Sequence, residues 1–226
     1  MIEIKKLSKW YGANEVLKGI DLTIDAGKVY GIVGENGSGK TTMFRCIAGL
    51  ESFSGEVIST HNPLKDNLGF LTTIPFFFSR MTGREYIQLI SVARNNLDTR
   101  IDEQNIFDLP LEQYAETYST GMKKKLALTA ILMQKNAVYI FDEPFNGVDI
   151  QSNLIIAEII RKLKEMGKTI LISSHIFSTL SDSCDKICVL KEGKIVKELS
   201  PEEFPALEQQ MRDESSLEII RKLNLQ

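Results

Sequence analysis

Apolar and polar residues alternate near the start of the chain with the two-residue period that is typical of β-strands. The alternation begins at Ile2 and, after a short polar interval, continues as far as Ile24. Further short runs predict strands at 29–33, 55–59 and 68–71. A helical pattern over 41–48, closed by Gly49, interrupts this series. The first third of the chain therefore predicts β-structure with a single helix.

The pattern becomes mostly helical from about residue 76 to residue 135. Thr82 and Glu85 have the spacing of a capping box, and they precede a run of apolar residues at helical spacing. Asn95–Asp98 predicts a loop, and Ser119 stands where a second helix would begin. We interpret this helical stretch as an insertion into an α/β core.

Strands and helices alternate again in the last part of the chain. The predicted strands are 137–141 and 169–173, the predicted helices are 154–166 and 177–184, and 187–198 predicts a hairpin that turns at 192–193. Strands that are separated by helices form parallel sheets with helices on both faces. From Pro201 onward, apolar residues at helical spacing predict a short amphipathic helix.

The composition is that of an ordinary globular protein, with 43% hydrophobic and 25% charged residues among 226. It excludes a disordered, collagen-like or coiled-coil chain. The net charge of −3 argues against a nucleic-acid-binding protein. No apolar stretch approaches the roughly 18 residues of a membrane span, and the N-terminus lacks the apolar segment of a secretory signal. We therefore expect a cytoplasmic protein that acts at a membrane only through a partner.

A glycine-rich segment joins the predicted strand 29–33 to the predicted helix 41–48. It consists of Gly34, Glu35, Asn36, Gly37, Ser38, Gly39, Lys40 and Thr41, and Thr42 follows it. This is the P-loop pattern, in which backbone N–H groups and a helix N-terminus surround a phosphate. Lys40 would reach the β- and γ-phosphates, and the Thr41 hydroxyl would ligate Mg²⁺. The alternative is an ordinary glycine turn.

Two adjacent acidic residues follow the predicted strand 137–141. In a P-loop protein, a carboxylate at the end of a neighbouring buried strand holds Mg²⁺, and this residue would be Asp142. Glu143 is then placed to orient or deprotonate the attacking water. The alternative is a solvated acidic loop. Together with the P-loop, the two carboxylates predict a nucleoside triphosphatase.

Five further segments give the chain its resemblance to a known family. They are Tyr11, Leu71–Pro75, Tyr118–Met122, Phe145–Asp149 and the pair Ser174 and His175. In this order around the P-loop and Asp142, they resemble the nucleotide-binding subunits of ABC (ATP-binding cassette) transporters. The resemblance extends from Leu7 to about Ser200.

The resemblance implies an α/β fold: a P-loop NTPase core whose mostly parallel sheet is flanked by helices, with an N-terminal antiparallel β subdomain and an inserted α-helical subdomain. The whole chain would be one domain. Its parts would be a catalytic core of 1–75 and 136–200, a helical subdomain of 76–135 and a C-terminal helical tail of 201–226.

The resemblance also implies roles for single residues at the nucleotide. Tyr11 would stack on the adenine of ATP, and His175 would donate to the γ-phosphate. Thr73 stands where the family has a glutamine that ligates Mg²⁺. Taken singly, Tyr11 is better explained as a core aromatic residue and His175 as a core or loop histidine; it is their order around the P-loop and Asp142 that favours the roles in the family.

Family members pair head to tail, and each ATP lies between the P-loop of one subunit and the signature of the other. Ser119 and Gly121 would be the signature residues that face the partner's γ-phosphate, and Asp149 would lie at the dimer interface. The simpler explanation of Ser119 is a helix N-cap. The partner subunit would form a homodimer or a heterodimer with this chain.

Two positions depart from the family pattern. In the signature, Thr120 and Met122 replace a glycine and a glutamine, a variant that resembles those of ABC-2-type exporters. Since a threonine does not adopt positive φ readily, we expect an ordinary backbone at Thr120. Thr73 is shorter than the family's glutamine and would need a bridging water to reach Mg²⁺. We therefore predict weakened coupling or a slow basal ATPase.

Three further groups of residues have predicted structural environments. Phe76, Phe77 and Phe78 form either a core cluster or an exposed patch that receives a helix of a membrane subunit. The run Lys123–Lys125 predicts a solvated helix face; the alternative is contact with a phosphate or an acidic partner, since positive charge at a helix N-terminus is unfavourable. Cys184 and Cys188 are predicted to be buried thiols and not metal ligands.

The sequence thus predicts the ATPase subunit of an ABC transporter, of the ABC-2 exporter type. It would bind ATP and Mg²⁺ and would act at the cytoplasmic face of a membrane through a separate transmembrane permease, without nucleic acid. The alternatives are a stand-alone ABC ATPase that remodels a soluble assembly and an ATP-dependent interaction module that does not hydrolyse ATP.

Overall fold

The computed structural model describes residues 1–94, 100–174, 177–207 and 209. The strands in these ranges are β1 (Ile2–Tyr11), β2 (Asn14–Ile24), β3 (Val29–Val33), β4 (Ser54–Ser59), β5 (Leu68–Leu71), β6 (Val138–Asp142), β7 (Thr169–Ser173), β8 (Lys186–Lys191) and β9 (Lys194–Leu199). The helices are α1 (Lys40–Ile47), α2 (Gly83–Ala93), α3 (Thr120–Met133), α4 (Ile150–Glu165) and α5 (Ser178–Ser181). In the part of the chain that is described, no helix has both the length and the apolar character needed to cross a membrane.

Six strands form the larger sheet, in the order β5-β6-β7-β3-β8-β9. The first five run parallel, and β9 pairs antiparallel with β8. Strands β3, β6 and β7 are buried along their whole length, and accordingly their sequences are nearly continuous apolar runs. The predicted parallel sheet and the hairpin that ends it are confirmed.

A second sheet of three antiparallel strands has the order β2-β1-β4. Ile2, Ile4 and Leu22 occupy alternate positions of β1 and β2 and are buried. They share one core with Met43 and Phe44 of α1 and with the central strands of the larger sheet. The predicted N-terminal antiparallel unit is therefore confirmed, and α1 contacts both sheets.

The other face of the larger sheet is covered by α3 and α4. Leu128 of α3 and Ile156 and Ile160 of α4 pack on the sheet. Phe204 and Leu207, the first apolar residues of the predicted C-terminal helix, are buried in the same core. The remaining apolar residues predicted for that helix lie outside the described residues. Helices cover both faces of the sheet, as predicted.

Helices α2 and α3 enclose a third core. Ile87 of α2 and Leu126 of α3 have no exposed surface there, and Tyr118 packs against them. Thr82 caps α2: its hydroxyl accepts from the Glu85 N–H, and the Glu85 carboxylate accepts from the Thr82 N–H. The predicted capping box is confirmed.

Helix α4 is longer than predicted. It begins at Ile150, whereas the apolar pattern predicted a start at Leu154. The structure shows the reason, because the Asp149 carboxylate accepts from the Ser152 N–H at 2.9 Å and thereby caps the helix at an earlier residue.

Helix α5 is shorter than predicted. Only Ser178–Ser181 is helical, out of the predicted 177–184. The segment that follows is tied to the sheet instead, because the Asp185 N–H donates to Val29 O at 2.8 Å just before β8 begins at Lys186. The predicted loop Asn95–Asp98 lies outside the described residues.

Candidate active site

The P-loop connects the end of β3 to the start of α1. Gly37 and Gly39 have φ values of 84° and 109°, a conformation that side-chain-bearing residues rarely adopt. Gly39 is the N-cap of α1, and a Cβ there would lie 2.8 Å from Leu17 Cδ2. The two glycines let the loop fold tightly over β2. The first backbone N–H groups of α1, which have no partner within a helix, point toward the loop.

Lys40 is buried although it carries a charge. Its side chain crosses the loop, and Nζ donates to Gly34 O at 2.6 Å and to Glu35 O at 3.1 Å. The ammonium is therefore held among backbone carbonyls of the P-loop. This position places a positive charge where the sequence pattern predicts phosphate.

A cleft of about 550 Å³ lies in front of the P-loop. It is lined by Val16, Asn36, Gly37, Gly39, Lys40, Thr41, Thr42, Thr73, Glu143 and Asn146. Eight of these were predicted site residues, and the structure brings them together from the P-loop, from the segment after β5 and from the end of β6.

Asp142 lies beneath this cleft, fully buried at the end of β6. Thr41 and Thr73 each donate a hydroxyl hydrogen bond of 2.7 Å to its Oδ2. Ser173, at the end of β7, donates to Oδ1 at 2.6 Å. One carboxylate thus joins the P-loop, the Thr73 segment and two parallel strands.

Glu143 has an unusual backbone conformation at the edge of the cleft. Its φ of 52° lies in the left-handed region, which is uncommon for a residue other than glycine and is frequent at functional sites. Its N–H donates to Ser173 Oγ at 3.0 Å, and its carbonyl accepts from the Asn146 N–H at 3.2 Å. The backbone N–H and the backbone carbonyl of Glu143 are therefore both hydrogen-bonded, the first to β7 and the second within the turn from Glu143 to Asn146.

The lysine run on α3 is not the solvated face that was predicted. Lys124 is only 1% exposed, and its Nζ donates to Glu143 O and to Asn146 O, each at 2.7 Å. Burial lowers the pKa of its ammonium, and the neighbouring Glu143 and Asp142 charges oppose that shift. Because α3 packs between the sheet and α2, the inward side of this run meets the turn after β6 and not solvent.

Lys125 also contacts the segment that follows β6. Its Nζ donates to Asp149 Oδ2 at 3.2 Å and to Ser152 Oγ at 3.1 Å. The Asp149 carboxylate in turn accepts from the N–H and the hydroxyl of Ser152. These hydrogen bonds, first the one from the Ser152 N–H, hold the pKa of Asp149 well below its ordinary range.

The signature segment begins α3. Ser119 is the N-cap, and its hydroxyl accepts from the Met122 N–H at 3.2 Å. Thr120 has no positive φ, so the expectation of an ordinary backbone is confirmed. A Cβ on Gly121 would lie 2.8 Å from Gly147 O, which shows that this segment packs closely on the loop after β6 of the same chain. Ser119 and Gly121 do not line the P-loop cleft.

The remaining predicted residues lie elsewhere. Tyr11, at the end of β1, is 44% exposed, which excludes the core explanation, and Lys9 Nζ lies 4.9 Å from the centroid of its ring. Gly34, Glu35 and Ser38 line an adjoining cavity of about 440 Å³ beside β8 and β9, which shares Asn36 and Gly37 with the cleft. His175 lies outside the described residues.

Ser173, Val16 and Asn146 belong to the site but were not predicted as site residues. Ser173 could have been found, since it ends a parallel strand next to β6 and ligands bind at such carboxyl ends. Asn146 lies within the Phe145–Asp149 segment that was singled out. No sequence signal distinguishes Val16 from the other apolar residues of β2.

Comparison with known proteins decides the family. The family model described as "ABC transporter" matches residues 17–146, more than half of the chain. The chain belongs to the ABC transporter family. The matched region includes the P-loop, the signature segment and both acidic residues at the end of β6.

Individual ABC proteins are similar over most of the chain. The bacitracin transport ATP-binding protein BcrA of Enterococcus faecalis is 31% identical over 218 residues, 90% of this chain and 70% of BcrA. The ABC transporter ATP-binding protein NatA of Bacillus subtilis is 33% identical over 198 residues, 80% of each chain. The chain is therefore an ATP-binding and ATP-hydrolysing subunit of an ABC transporter.

Solved ABC cassettes share the fold. A structure of the ATP-binding subunit of an ABC transporter matches with a TM-score of 0.80 and 26% identity, covering 88% of this chain and 90% of its own. The dimeric cassette MJ0796, in a post-hydrolysis state with ADP and Pi, matches with a TM-score of 0.81 and 20% identity over 89% of this chain and 99% of its own. The P-loop NTPase fold with its two sheets is thus that of ABC ATPases.

Proposed function

We propose that this subunit hydrolyses ATP in the P-loop cleft and that the reaction drives export through a separate membrane subunit. The observation that carries the proposal is the convergence of three hydroxyl groups on the buried carboxylate of Asp142. Thr41 and Thr73 reach one of its oxygens and Ser173 reaches the other. This cluster lies directly beside Lys40 and Glu143, which line the same cleft.

The donor set at Asp142 fits Mg²⁺. Carboxylate and hydroxyl oxygens are hard ligands, and Mg²⁺ is held in proteins by one or two carboxylates together with substrate phosphates and water. In the described ranges there is no cluster of three His, Cys, Asp or Glu residues that would favour another metal. We propose that Thr41 and Asp142 hold the ion, with Thr73 directly or through a water. When bound, Mg²⁺ would supply positive charge to the phosphate oxygens.

Each residue of the cleft then has a task in the hydrolysis. Lys40 would bind the β- and γ-phosphate oxygens, together with the P-loop N–H groups. Glu143 would accept a proton from the attacking water. The water oxygen forms a bond to the γ-phosphorus as the bond to the β–γ bridging oxygen breaks, which leaves ADP and phosphate.

The signature residues are proposed to serve a second subunit. Ser119 and Gly121 are absent from the P-loop cleft of their own chain, so they would contact the nucleotide of a paired subunit at the N-terminus of α3. Asp149 would lie at that interface. We further propose that Tyr11, whose exposed ring ends β1, stacks on adenine and that His175 contacts the γ-phosphate.

An apolar groove of about 440 Å³ supports the proposal that a membrane subunit binds this chain. Leu50, Phe70, Phe76, Tyr86 and Ile90 contribute to its lining, between the larger sheet and α2. The side chains of Phe76 and Ile74 are 73% and 83% exposed, which is unusual for apolar residues next to a groove. We propose that a helix of the transmembrane permease occupies this groove at the cytoplasmic face.

The direction of transport is proposed on two grounds. BcrA, a similar protein, is named for bacitracin transport, and the signature segment Tyr118–Met122 resembles those of ABC-2-type exporters. The transported molecule would contact the permease and not this chain.

Affinity purification of the tagged chain from gently solubilised native membranes tests the proposal. We expect a polytopic membrane protein to co-purify. Export would then be established by ATP-dependent efflux of the transported molecule from cells, or by its ATP-dependent uptake into inverted membrane vesicles. Recovery of a complex without any membrane protein would support a stand-alone ABC ATPase. Absence of ATP turnover by the recovered complex would support an interaction module that does not hydrolyse ATP.

A further inference from the structure

Lys124 is a buried lysine whose ammonium donates hydrogen bonds to two backbone carbonyl oxygens. Its Nζ donates to the carbonyls of Glu143 and Asn146 at 2.7 Å each, and its side chain is 1% exposed. These two carbonyls are the ends of the turn that carries the proposed base. Lys124 itself is not among the residues that line the cleft, whereas Glu143 and Asn146 are.

Fold stability alone does not explain a charged residue at this position. Moving an ammonium out of water costs several kcal/mol, and its two hydrogen bonds to carbonyls offset this cost only in part. The lowered pKa of Lys124 has this same cause, burial. A side chain with two or more N–H donors can satisfy both carbonyl oxygens of the turn at once, and the lysine ammonium supplies three.

The turn itself requires restraint. Glu143 has a left-handed backbone, a conformation that persists only where its surroundings enforce it. Ser173 holds its N–H and also binds Asp142 Oδ1, which fixes the side of the turn that faces β6 and β7. Lys124 holds its carbonyl from the opposite side. Between them, Ser173 and Lys124 fix both peptide groups that flank the Glu143 side chain.

We propose that Lys124 is a positioning residue for ATP hydrolysis, because its ammonium fixes the Glu143–Asn146 turn and so aims the Glu143 carboxylate into the cleft. It acts through Glu143 and not on the substrate, and the inference rests on the proposed role of Glu143 as base. Since Lys124 lies in the second turn of α3, it also joins this turn rigidly to the signature segment, where Gly121 already packs on Gly147.

The test compares two substitutions at this position in the purified full chain. Lys124→Met keeps the length of the side chain but removes the donor, whereas Lys124→Gln keeps a neutral donor with two N–H groups. We expect kcat to fall about 10- to 100-fold in Lys124→Met, since a small misplacement of a catalytic group has this effect, and to fall less in Lys124→Gln. The ATP dissociation constant, measured with a fluorescent ATP analogue, should match that of the unaltered chain. The thermal midpoint should fall in Lys124→Met, where two carbonyls lose their donor, and should fall less in Lys124→Gln.

Two further variants make the outcome decisive. Lys123→Met is the matched control, because Lys123 is adjacent and partly exposed, and it should retain the unaltered kcat. Glu143→Gln tests the underlying role. If Glu143→Gln is inactive and Lys124→Met hydrolyses ATP at the unaltered rate, the inference is wrong while the function of Glu143 stands. If Glu143→Gln remains active, the proposed base itself is wrong.

A purely structural role would give a different result. In that case both variants would weaken ATP binding in parallel with their loss of kcat and of thermal stability, and the inference would be overturned. The combined variant adds a second criterion. The effects of substituting two residues that act as one unit do not add. If Lys124 acts through Glu143, adding Lys124→Met to Glu143→Gln should therefore lower the residual single-turnover rate by less than about twofold.

Discussion

The hydroxyl of Thr73 donates a 2.7 Å hydrogen bond to Asp142 Oδ2, the oxygen that also accepts from Thr41. Thr73 lies just after β5, at the position where the family has a longer glutamine, and it nevertheless reaches the carboxylate proposed to hold Mg²⁺. The link passes from the P-loop through Asp142 to the segment that leads into Phe76–Phe78 and α2. Although threonine is shorter than glutamine, the segment after β5 therefore still contacts the site through the hydrogen bond from Thr73 to Asp142.

Replacing Thr73 by valine should weaken Mg²⁺ binding. The substitution keeps the shape of the side chain and removes its oxygen, so one hydroxyl donor to Asp142 and one potential metal ligand are lost. We expect the Mg²⁺ concentration for half-maximal ATPase activity to rise about 10-fold, the size of effect found for groups that orient metal ligands. A titration of activity against Mg²⁺ at saturating ATP measures this change.

Two other variants at this position serve as comparisons. Thr73→Ser retains the hydroxyl and should keep the Mg²⁺ dependence of the unaltered chain. Thr73→Gln restores the residue type of the family, and we expect it to raise the basal ATPase rate or its stimulation by the membrane subunit. If Thr73→Gln leaves both unchanged, the predicted effect of threonine on coupling is wrong.

The three consecutive phenylalanines should respond differently to substitution by serine. Phe76 and Phe78 are exposed and meet edge to face with centroids 5.2 Å apart, whereas Phe77 is half-buried against Tyr86 at 4.5 Å. Phe76→Ser should abolish co-purification of the membrane subunit and leave the urea midpoint unchanged. Phe77→Ser should lower the free energy of unfolding by about 2 kcal/mol.

The sequence alone left the core and docking explanations of this cluster open, and the structure divides the cluster between them. Unaltered co-purification with both Phe76→Ser and Phe78→Ser would show that the proposed docking surface is wrong.

All three cysteines should be unreactive in the folded protein. Cys46, Cys184 and Cys188 are buried free thiols, as predicted for the last two. Burial raises the pKa of Cys46 to about 11 and of Cys188 to about 12, and it raises that of Cys184 as well. Since the thiolate is the reactive form, a disulfide reagent at pH 8 should titrate no thiol in native protein and three after denaturation. Rapid reaction of a thiol under native conditions would contradict the described packing.

The cap of α4 should make stability depend on pH in the acid range. The folded-state pKa of Asp149 is lowered by its bonds to Ser152 and Lys125, so its contribution is complete above its ordinary value of 3.8 and is lost as the pH falls toward the folded value. Asp149→Ala should therefore lower the urea midpoint at pH 7 by more than at pH 3. Asp149→Asn, which keeps a capping oxygen, should be the milder change at pH 7. Equal effects of Asp149→Ala at both pH values would exclude an ionised cap.

Local sequence pattern predicted the elements of this fold well where one face or a whole strand is apolar. The runs that became β3, β6 and β7 are buried throughout, and the P-loop glycines mark a turn that other residues cannot form. The start of α4 was misplaced because its first turn has no buried apolar residue: Ile150 is exposed and the next three residues are polar, so the apolar periodicity begins only after this turn.

The site was predicted less completely, for a physical reason. Lys124 stands between two other lysines, and only the packing of α3 against the turn after β6 shows that it is buried. Ser173 is separated from Asp142 by 31 residues in sequence and meets it through strand pairing. Contacts between strand ends depend on the order of strands in the sheet, which local patterns do not contain.

The central claim is that Glu143 activates water for ATP hydrolysis in the cleft that it lines with Lys40 and Thr41, above the buried Asp142. Its most direct test is steady-state phosphate release by the purified chain and by Glu143→Gln, with ATP binding measured in parallel. The account predicts turnover by the unaltered chain and a loss of at least about 100-fold in Glu143→Gln at unchanged ATP affinity. Equal turnover by the two proteins would contradict it.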